Sequence, residues 1–576
     1  MPSRSAPAPA PQVLEEIAFQ KAMVARLRRE IGDVDRTSRR GYIKEFHSSI
    51  GRYQAPASWD DLVIACYRAD LVYIGDYHAL PSAQETAARL IQAIAERSRA
   101  VVLGVEMVYG RHQRLLDRYM NGELDELAFL RAIRYESDWG YDWAAFRTVY
   151  DVARRHHIPV VGLDCPPRTG FRHIRRRDRY AAERIAGMIA SAPGARAVVL
   201  FGESHLAPAH LPKQVTKLLK RHGLEKRVVT VVQNLEEIYW QMSEAGHAGS
   251  EAARLGDDVY CHFSAGPIAK YEAYRRTIEL WKGEDESQDD PVDLTSTVHG
   301  IIDMILRFLK IDPYTRRFQA PGRGRDLIVD LYPDIHSGLE PDEVRVLFRN
   351  ARLPEEDAAE VLDHLERSGS CYVPRLNAIF LGEFSLVHAG EEAAHFVNQL
   401  LKGEIYEAVP RALPQHDLFY SAVLEEALGF FGSKIVDPSR NHFFENEFYQ
   451  YYRKDRETIE KHTPYKFDEF NEIIDFVLLH KKFEHSYEHY GEVPQPLLDG
   501  IRSDPRRVNV LVHELGYFLG QQLHDAYRMG LVDRADMLAL FRASFRRSGS
   551  ALAAYLDLSR KVAPALKGGL TPAGSG

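Results

Sequence analysis

Two short segments of this sequence share the layout G-x-x-H, which places an imidazole three residues after a glycine. The first is GDYH, ending at His78, and the second is GESH, ending at His205. Each follows an apolar run, LVYI and AVVLF respectively, of the kind that forms a buried strand in a parallel sheet. Both histidines are therefore predicted at the carboxyl ends of strands, which is where open α/β sheets bind ligands.

Polar residues also end the other apolar runs of the same region. In chain order the strand ends carry Asp76 with His78, Glu106, Asp164, Glu203 with His205, and Gln233 with Asn234. Imidazoles and carboxylates together suit two kinds of site. They can hold a divalent transition metal, or they can perform general acid–base chemistry without one. The alternative is that these side chains only hydrogen-bond within their own loops.

A basic run over residues 168–179 follows the third of these strands. Arg168 is close to the predicted edge and is suited to binding a ligand carboxylate or phosphate through two hydrogen bonds. The alternative for the run is a solvated helix face that pairs with Asp178 and Glu183. Cys165 lies at the same edge, where a thiolate could ligate iron, unless its Cys-Pro pair only ends a strand.

The elements that must position these residues alternate between strand-like and helical patterns from about residue 60 to 245. The predicted strands are the apolar runs 71–74, 101–105, 160–163, 198–201 and 228–232, and helical patterns lie between them. This alternation predicts an α/β fold with a mainly parallel sheet, flanking helices and right-handed crossovers. The spacing of Ser82 and Glu85 predicts a capping box at the start of one helix.

Length, charge and cysteine content limit the kinds of protein that this chain can be. A chain of 576 residues is too long for a single core, so several domains are expected. The net charge of −8 gives no general attraction to nucleic acid or to an anionic membrane. The four cysteines form no C-x-x-C pair, no run of about 18 apolar residues predicts a membrane span, and the amino terminus lacks the apolar segment of a signal peptide. These features predict a cytoplasmic location.

The sequence divides into six predicted segments. They are a disordered start (1–12), an N-terminal helical segment (13–60), the α/β domain (61–282), an acidic linker (283–293), a largely α-helical C-terminal region (294–566) and a disordered tail (567–576).

One part of the C-terminal region has the outline of a winged helix. Helices are predicted near Pro341–Asn350 and Glu355–Ser368, and two short strands near 371–373 and Ala378–Leu381 follow them. Because this segment carries many acidic residues beside its arginines, a packing or dimerising role is favoured over DNA binding. We therefore expect no nucleic-acid partner, and a homodimer is left open.

A second group of histidines and glutamates lies in the segment HAGEEAAHF. His388, Glu391, Glu392 and His395 fall on one face of a helix, and Glu392-x-x-His395 has the spacing used in di-iron carboxylate bundles. Such sites need a second motif of this kind, which is not evident, and further glutamates, which the segment VLEEALGFF could supply. Glu392 and His395 are therefore a second candidate metal site, with a solvated helix face as the alternative.

Several motifs of the α/β region occur in an order and spacing that are typical of one family. They are GDYHALPSAQ, VLGVEM with Gln113 seven residues past Glu106, YMNGELD, Trp139…Trp143…Tyr150, IPVVGLDCPPR, Arg177-Asp178 and LFGESHL. Through them, about residues 65–235 resemble the ChaN-like proteins of the Tiki/TraB/erythromycin-esterase-like superfamily. The resemblance implies an α/β fold in which His78, Glu106 and His205 lie at one site.

The functions that the resemblance implies leave three hypotheses open. ChaN-like proteins are associated with haem or iron uptake, Tiki-type relatives look like metal-dependent proteases, and the esterase-like branch uses histidine and glutamate in hydrolysis. The chain is thus expected to bind a small molecule or haem, to be a hydrolase, or to be a non-catalytic scaffold, and the implied cofactor is a divalent metal or haem iron. The implied metal ligands are His78, Glu106 and His205, the catalytic candidates are the same three with Glu203, and the ligand-binding candidates are Asp76, Gln113, Asp164, Arg168 and Asp178.

Overall fold

The computed structural model describes residues 9–34, 40–98, 100–168, 171–283, 294–318, 326–382, 385–405, 413–438, 440, 442, 454–456, 459–460, 466–490 and 492–568. The chain divides into two compact units, the first comprising Met1–Pro9 and Val24–Gln288 and the second Ala10–Met23 and Asp289–Gly576. Residues 1–8 of the predicted disordered start, 284–293 of the predicted linker and the tail from 569 lie outside the described residues.

The first unit is built on one eight-stranded sheet. Its strands are β1 (Ala55–Ala57), β2 (Leu71–Asp76), β3 (Val101–Tyr109), β4 (Val160–Asp164), β5 (Arg196–Gly202), β6 (Val228–Gln233), β7 (Ala252–Gly256) and β8 (Val259–His262). Their order across the sheet is β1-β7-β8-β6-β2-β5-β3-β4, and only the pairs β1–β7 and β7–β8 are antiparallel. The predicted α/β fold with a mainly parallel sheet is therefore confirmed, and the carboxyl ends of six parallel strands meet at one edge.

Helices connect and cover these strands. They are α1 (Pro11–Val34), which is divided between the two units, α2 (Arg40–Ser49), α3 (Trp59–Arg68), α4 (Pro81–Arg97), α5 (Gln113–Met120), α6 (Glu126–Ile133), α7 (Tyr135–Asp138), α8 (Trp143–Arg155), α9 (Phe171–Ser191), α10 (Leu211–Arg221), α11 (Glu236–Glu244) and α12 (Pro267–Gly283). Two short 3₁₀ helices, Gly110–His112 and Glu203–Leu206, follow β3 and β5.

The central strands are buried on both faces, as their unbroken apolar runs predict. Every residue of β2 and β3 is buried. Val72 and Ile74 pack with residues of α4 and α8, whereas Leu71 and Tyr73 pack with residues of α9 and α10, because successive side chains of a strand point to opposite faces. Helices thus cover both faces of the sheet and form a three-layered unit.

The strands extend beyond the apolar runs that predicted them. β2 continues to Asp76, β5 continues to Gly202, and β3 continues to Tyr109. The sequence predicts Glu106 at the end of its strand, but the residue lies inside the strand. The pairing of β3 with β4 shifts register beyond Val105, so the strand is irregular where Glu106 is placed.

The predicted capping box at Ser82 and Glu85 is wrong. Helix α4 already begins at Pro81, and its N-cap residue is Leu80, whose side chain makes no capping hydrogen bond. Proline has no backbone N–H, so Pro81 in the first helical position needs no hydrogen-bond acceptor there, and the helix begins without a side-chain cap.

The second unit is largely helical. Its helices are α13 (Thr295–Phe308), α14 (Pro341–Asn350), α15 (Glu355–Ser368), α16 (Leu386–Lys402), α17 (Gln415–Val436), α18 (Phe467–Tyr490), α19 (Gln495–Ile501), α20 (Pro505–Arg528), α21 (Arg534–Arg542) and α22 (Ser550–Gly568), with a 3₁₀ helix at Ile328–Leu331. Its strands are β9 (Arg316–Phe318), β10 (Asp326–Leu327), β11 (Asp334–Ser337), β12 (Ser370–Val373) and β13 (Ala378–Leu381).

The winged-helix outline is present in the order that the sequence predicted. Helices α14 and α15 precede the antiparallel hairpin of β12 and β13, and β11 adds a third strand that pairs with β13 in parallel. Within the part of the chain that the structure describes, no helix has the length and hydropathy needed to cross a membrane.

Candidate active site at the carboxyl edge of the sheet

The carboxyl edge of the sheet brings most of the predicted site residues together. Asp76 and Asp164 are the last residues of β2 and β4, and His78 follows β2 by two residues. His205 lies in the 3₁₀ helix that follows β5. Glu106 reaches the same place from within β3, where its carboxylate lies beside the His78 ring. Four neighbouring strands therefore position the candidate residues on a rigid frame.

His78 is oriented by a carboxylate and lined by aromatic rings. Its Nδ1 lies 2.7 Å from Asp76 Oδ2, so in the neutral ring Nδ1 carries the hydrogen and Nε2 carries the lone pair. Nε2 is 3.8 Å from Glu106 Oε2, beyond hydrogen-bond distance. The rings of Trp139 and Tyr141 lie 4.5 and 5.1 Å from the imidazole, between ring centroids. The side chain is 21% exposed, so a ligand can reach the imidazole.

Glu106 is the centre of the charge network at this edge. Its Oε1 accepts a hydrogen bond from the Arg177 guanidinium, and its Oε2 accepts one of 2.6 Å from the backbone N–H of Gly202. Burial would raise the pKa of this carboxyl, but the charges of Arg177, His78 and His205 outweigh burial and lower the pKa to about 2. Glu106 is therefore ionised at neutral pH, and both imidazoles are near enough for their charges to act on it.

Arg177 of α9 links Glu106 to Asp164. Its Nε and Nη2 donate to the two oxygens of Asp164 at 2.9 and 2.8 Å, which is the bidentate geometry of strong arginine–carboxylate pairs. Arg177 and the adjacent Asp178 are buried, whereas Arg176 and Arg179 are exposed. The solvated-face interpretation of the basic run is therefore wrong for Arg177 and holds for its exposed neighbours.

His205 is the second imidazole that an aspartate orients. Its Nδ1 lies 2.6 Å from Asp178 Oδ1, and the Tyr42 hydroxyl donates a hydrogen bond of 2.8 Å to Asp178 Oδ2. The side chain of His205 is buried against the ring of Phe201 at a centroid distance of 5.0 Å. His205 thus repeats the arrangement of His78, with an aspartate on Nδ1 and Nε2 left for other chemistry.

Gly202 is the point of closest approach between the β5 backbone and the site. A Cβ atom at this position would lie 3.1 Å from Glu106 Oε2 and 3.3 Å from both Cε1 and Nε2 of His78. The glycine of the second G-x-x-H motif therefore leaves room for the two groups that face each other. Its φ of −49° is open to any residue, so space and not backbone conformation favours glycine here.

Arg168 stabilises the carboxyl edge of the sheet, and all three nitrogens of its guanidinium donate hydrogen bonds. Its Nε donates to Asp164 Oδ2 at 2.8 Å, Nη2 donates to the backbone oxygen of Glu106 at 2.8 Å, and Nη1 donates to the backbone oxygen of Asp138. It also lies over the rings of Tyr109 and Trp139, 4.1 and 4.5 Å from their centroids. A ligand carboxylate or phosphate would have to replace one of these partners.

Two other predicted residues are held by the protein itself. The Gln113 amide donates to the backbone oxygen of Val160 at 2.8 Å and accepts from the Gly162 N–H at 3.0 Å, so it fastens α5 to β4 and does not join the histidines. Glu203 accepts a hydrogen bond of 3.1 Å from Lys270 Nζ on α12. Gln113 and Glu203 are thus engaged with neighbouring elements.

Sequence reasoning missed Tyr42 and Lys270, which belong to helices outside the matched motifs. Neither lies in a pattern that indicates a site, because each reaches the edge only through the tertiary fold. Cys165 was considered as an iron ligand, but burial raises the pKa of its thiol, which therefore stays protonated at neutral pH.

The comparisons with known proteins agree with the motif-based resemblance. Residues 62–188 match the model of a family described as haem-binding uptake, Tiki superfamily, ChaN. This stretch of the chain resembles the ChaN family, and we call the first unit, which contains it, the ChaN-like unit. The match includes the strands of His78, Glu106 and Asp164 and ends before His205. No curated protein matches the chain significantly.

Two solved structures resemble part of this chain. One shows cofacial haem binding to ChaN of Campylobacter jejuni; it has 13% identity and a TM-score of 0.26, and the match covers 36% of this chain and 91% of that protein. The other is the type III effector HopBA1, with 15% identity and a TM-score of 0.27, where the match covers 37% of this chain and 97% of the effector.

In the second unit the predicted pair Glu392 and His395 has separate partners. Glu392 Oε1 accepts a hydrogen bond of 2.7 Å from Ser370 Oγ, and burial raises the pKa of this carboxyl to about 7. His395 Nε2 lies instead 3.9 Å from Glu426 Oε1. The histidine therefore faces Glu426 of the segment VLEEALGFF, one of the glutamates that the sequence offered as a further ligand.

Proposed function

We propose that the ChaN-like unit binds iron, as haem or as the ion, with His78 Nε2 as the protein ligand. The observation that carries the proposal is the setting of this imidazole. Asp76 fixes Nδ1 at 2.7 Å, while among the described residues the polar atom recorded nearest to Nε2 is a carboxylate oxygen of Glu106, 3.8 Å away. Histidines that ligate metals or haem iron commonly have an acceptor on the other ring nitrogen, which orients the ring and raises its basicity.

The surroundings of His78 fit either form of iron. Trp139 and Tyr141 supply flat apolar surface beside the imidazole, which suits the packing of a porphyrin. For an ion, His78 Nε2 and Glu106 Oε2 are 3.8 Å apart, a spacing that two ligands with bonds of about 2.0–2.2 Å to one metal can have. Bound iron would supply redox or Lewis-acid chemistry, and the protein would orient it and limit its access to water.

A haem titration of the purified full-length chain tests this proposal. Wild-type protein is expected to develop a Soret band that saturates, and His78→Gln is expected to weaken binding at least about tenfold. Asp76→Asn should weaken it as well, since it removes the carboxylate that orients the ring. His222→Gln, at an exposed position after α10, is the matched control and should bind like wild type. A Soret band that His78→Gln leaves unchanged would refute His78 as a haem ligand.

Analysis of bound metal covers the ionic form. Iron that copurifies with the wild-type protein, or that binds after chelation, is expected to be lost in His78→Gln and Glu106→Gln and kept in His222→Gln. If neither haem nor iron binds to wild-type protein, the proposal fails and the scaffold hypothesis takes its place.

A second candidate function is hydrolysis of an ester or amide, and the paired aspartate–histidine arrangement favours it. His78 and His205 each have an aspartate on Nδ1, and both lie near the ionised Glu106. Burial lowers the pKa of His78, but Asp76 and Glu106 outweigh burial and raise the pKa above its usual value of 6.5. An imidazole of that kind is suited to removing a proton from water or from a hydroxyl group.

The hydrolase function is tested on chelated, haem-free protein with chromogenic esters and peptides. Turnover by wild type should rise with pH through a midpoint above 6.5, since only neutral His78 is a base. His78→Gln should lower kcat/KM by about 10²–10⁴-fold. Equal turnover in the two proteins would reject the catalytic role.

The cytoplasmic location, the homodimer and the absence of a nucleic-acid partner stay predictions.

A further inference from the structure

A cluster of histidines and glutamates lies among four helices of the second unit. One carboxylate oxygen of Glu391, one of Glu426 and one ring nitrogen of His513 lie within 4.8 Å of one another. Glu426 Oε2 is 3.4 Å from His513 Nδ1, and Glu426 Oε1 is 3.9 Å from His395 Nε2. Two imidazoles and two carboxylates thus converge from α16, α17 and α20, and the charges of this cluster also act on His364 of α15.

Glycines let these helices approach each other at the cluster. A Cβ atom on Gly429 of α17 would lie 2.6 Å from His395 Nε2 and 3.2 Å from Glu391 Cγ, so glycine is needed to leave room for both. A Cβ atom on Gly516, three residues after His513 on α20, would collide with Cβ of Glu426. The cluster is therefore built where the helices pack most closely, and its donors are held on rigid elements.

The hydrogen bonds of the cluster leave one buried oxygen unsatisfied. Glu391 is 4% exposed, and its Oε2 pairs with the Arg440 guanidinium at 3.1 Å. Its Oε1 is buried and has no hydrogen-bond partner among the described residues. A buried carboxylate oxygen without a donor costs free energy, and native proteins usually provide a partner for it. A cation bound at this position would be such a partner.

The charges of the cluster suit a cation. Glu391 and Glu426 bring two carboxylates to it, and the guanidinium of Arg440 pairs with Glu391. Carboxylates and neutral imidazoles are donors that divalent transition metals accept.

We propose that Glu391, Glu426 and His513 bind a divalent transition-metal ion, with His395 as a fourth donor. Mixed imidazole and carboxylate donors are typical of sites for zinc, iron and manganese. Helical bundles build such sites from glutamates and histidines on facing helices. The proposal concerns the second unit and does not depend on the function proposed for the ChaN-like unit. It also names Glu391 as a ligand instead of Glu392, since the carboxylate of Glu392 accepts a hydrogen bond from Ser370.

Titration of chelator-stripped full-length protein with Co²⁺ tests the site. Binding is followed by the visible ligand-field bands and by equilibrium dialysis, and Zn²⁺ serves as the competitor. Wild type is expected to bind Co²⁺ saturably, and Glu426→Gln and His513→Gln are each expected to weaken binding at the second unit at least about tenfold. The same loss is expected when each is combined with His78→Gln, which removes the candidate ligand of the first unit. The matched control Glu425→Gln removes the adjacent carboxylate, which pairs with Lys402 at 2.9 Å, and should bind Co²⁺ like wild type.

A metal-dependent shift of Tm separates a ligand role from a purely structural one. Glu426 pairs with two histidines, so its removal can lower the Tm of the metal-free protein, and His395→Gln is therefore measured as a further variant. The Tm of the His78→Gln protein is expected to rise with Co²⁺, whereas adding Glu426→Gln or His513→Gln to it should abolish the rise whatever the starting Tm. The proposal is overturned if both variants keep the full rise, if wild type binds no Co²⁺ saturably, or if binding is lost only in His78→Gln.

Discussion

Asp164 binds Arg177 through two parallel hydrogen bonds, with Nε–Oδ1 and Nη2–Oδ2 distances of 2.9 and 2.8 Å. The same Nη2 also binds Glu106, and all three side chains are buried. One guanidinium therefore bonds to two carboxylates that are removed from water, and it joins α9 to both β3 and β4. Lysine cannot replace this planar, forked contact.

Replacing Arg177 by methionine is expected to lower the free energy of unfolding by about 3–5 kcal/mol, because it takes the guanidinium from the buried Glu106 and leaves Asp164 with the charge of Arg168. Urea denaturation followed by circular dichroism measures the change. Arg179→Met, at an exposed position of the same helix, is the control and should change the free energy by less than about 0.5 kcal/mol. Equal denaturation midpoints for the two variants would show that the pair is not needed for stability.

Gly202→Ala is expected to disturb the site through crowding. The added Cβ would press on Glu106 Oε2 and on the His78 ring, so we expect a loss of about 1–3 kcal/mol in stability together with weaker haem or iron binding. Gly187→Ala in α9 is the control, since its Cβ would meet nothing within 4 Å and should stabilise the helix by about 0.5–1 kcal/mol. The idea fails if Gly202→Ala binds haem and iron as wild type does.

The fold of the first unit could be predicted from local patterns, whereas the details of its site could not. Apolar runs indicated the central strands, because strands buried on both faces lack polar residues. The ends of these runs did not mark the ends of the strands, since polar Asp76 and Glu106 themselves lie within β2 and β3. The polar residues that end the apolar runs therefore indicated the correct edge of the sheet. They did not indicate whether each residue lies inside its strand or after it.

The sequence could not predict which charged residues are buried. Arg177 lies in a run of arginines that otherwise face solvent, and only the approach of Asp164 and Glu106 from two strands distinguishes it. Tyr42 contacts Asp178 across 136 positions of sequence, and no periodicity relates the two. Such contacts depend on the tertiary packing of α2 and α9.

Stability is expected to fall below neutral pH through His262, the last residue of β8. Burial first, and the charge of Arg89 second, lower the pKa of His262 to about 4, from a usual value of 6.5. Between these values the unfolded chain binds a proton that the folded chain does not, so the free energy of unfolding decreases as pH falls, by up to about 3 kcal/mol. Urea denaturation of wild type and His262→Gln from pH 7.5 to 4 should give a difference that grows in this window. A difference that is constant with pH would contradict the low pKa.

Asp417→Ala is expected to destabilise the second unit by releasing the start of α22. Asp417, which belongs to α17 and is fully buried, accepts hydrogen bonds from the backbone N–H groups of Gly549, Ala551 and Leu552, the last two at 3.1 and 3.4 Å. These N–H groups have no partner within their own helix, and the negative charge also interacts favourably with the helix dipole. Losing the carboxylate should therefore cost about 2–3 kcal/mol of unfolding free energy, measured by urea denaturation. Asp557→Ala on the exposed face of α22 should cost less than about 0.5 kcal/mol, and a similar cost for both variants would mean that Asp417 does not cap the helix.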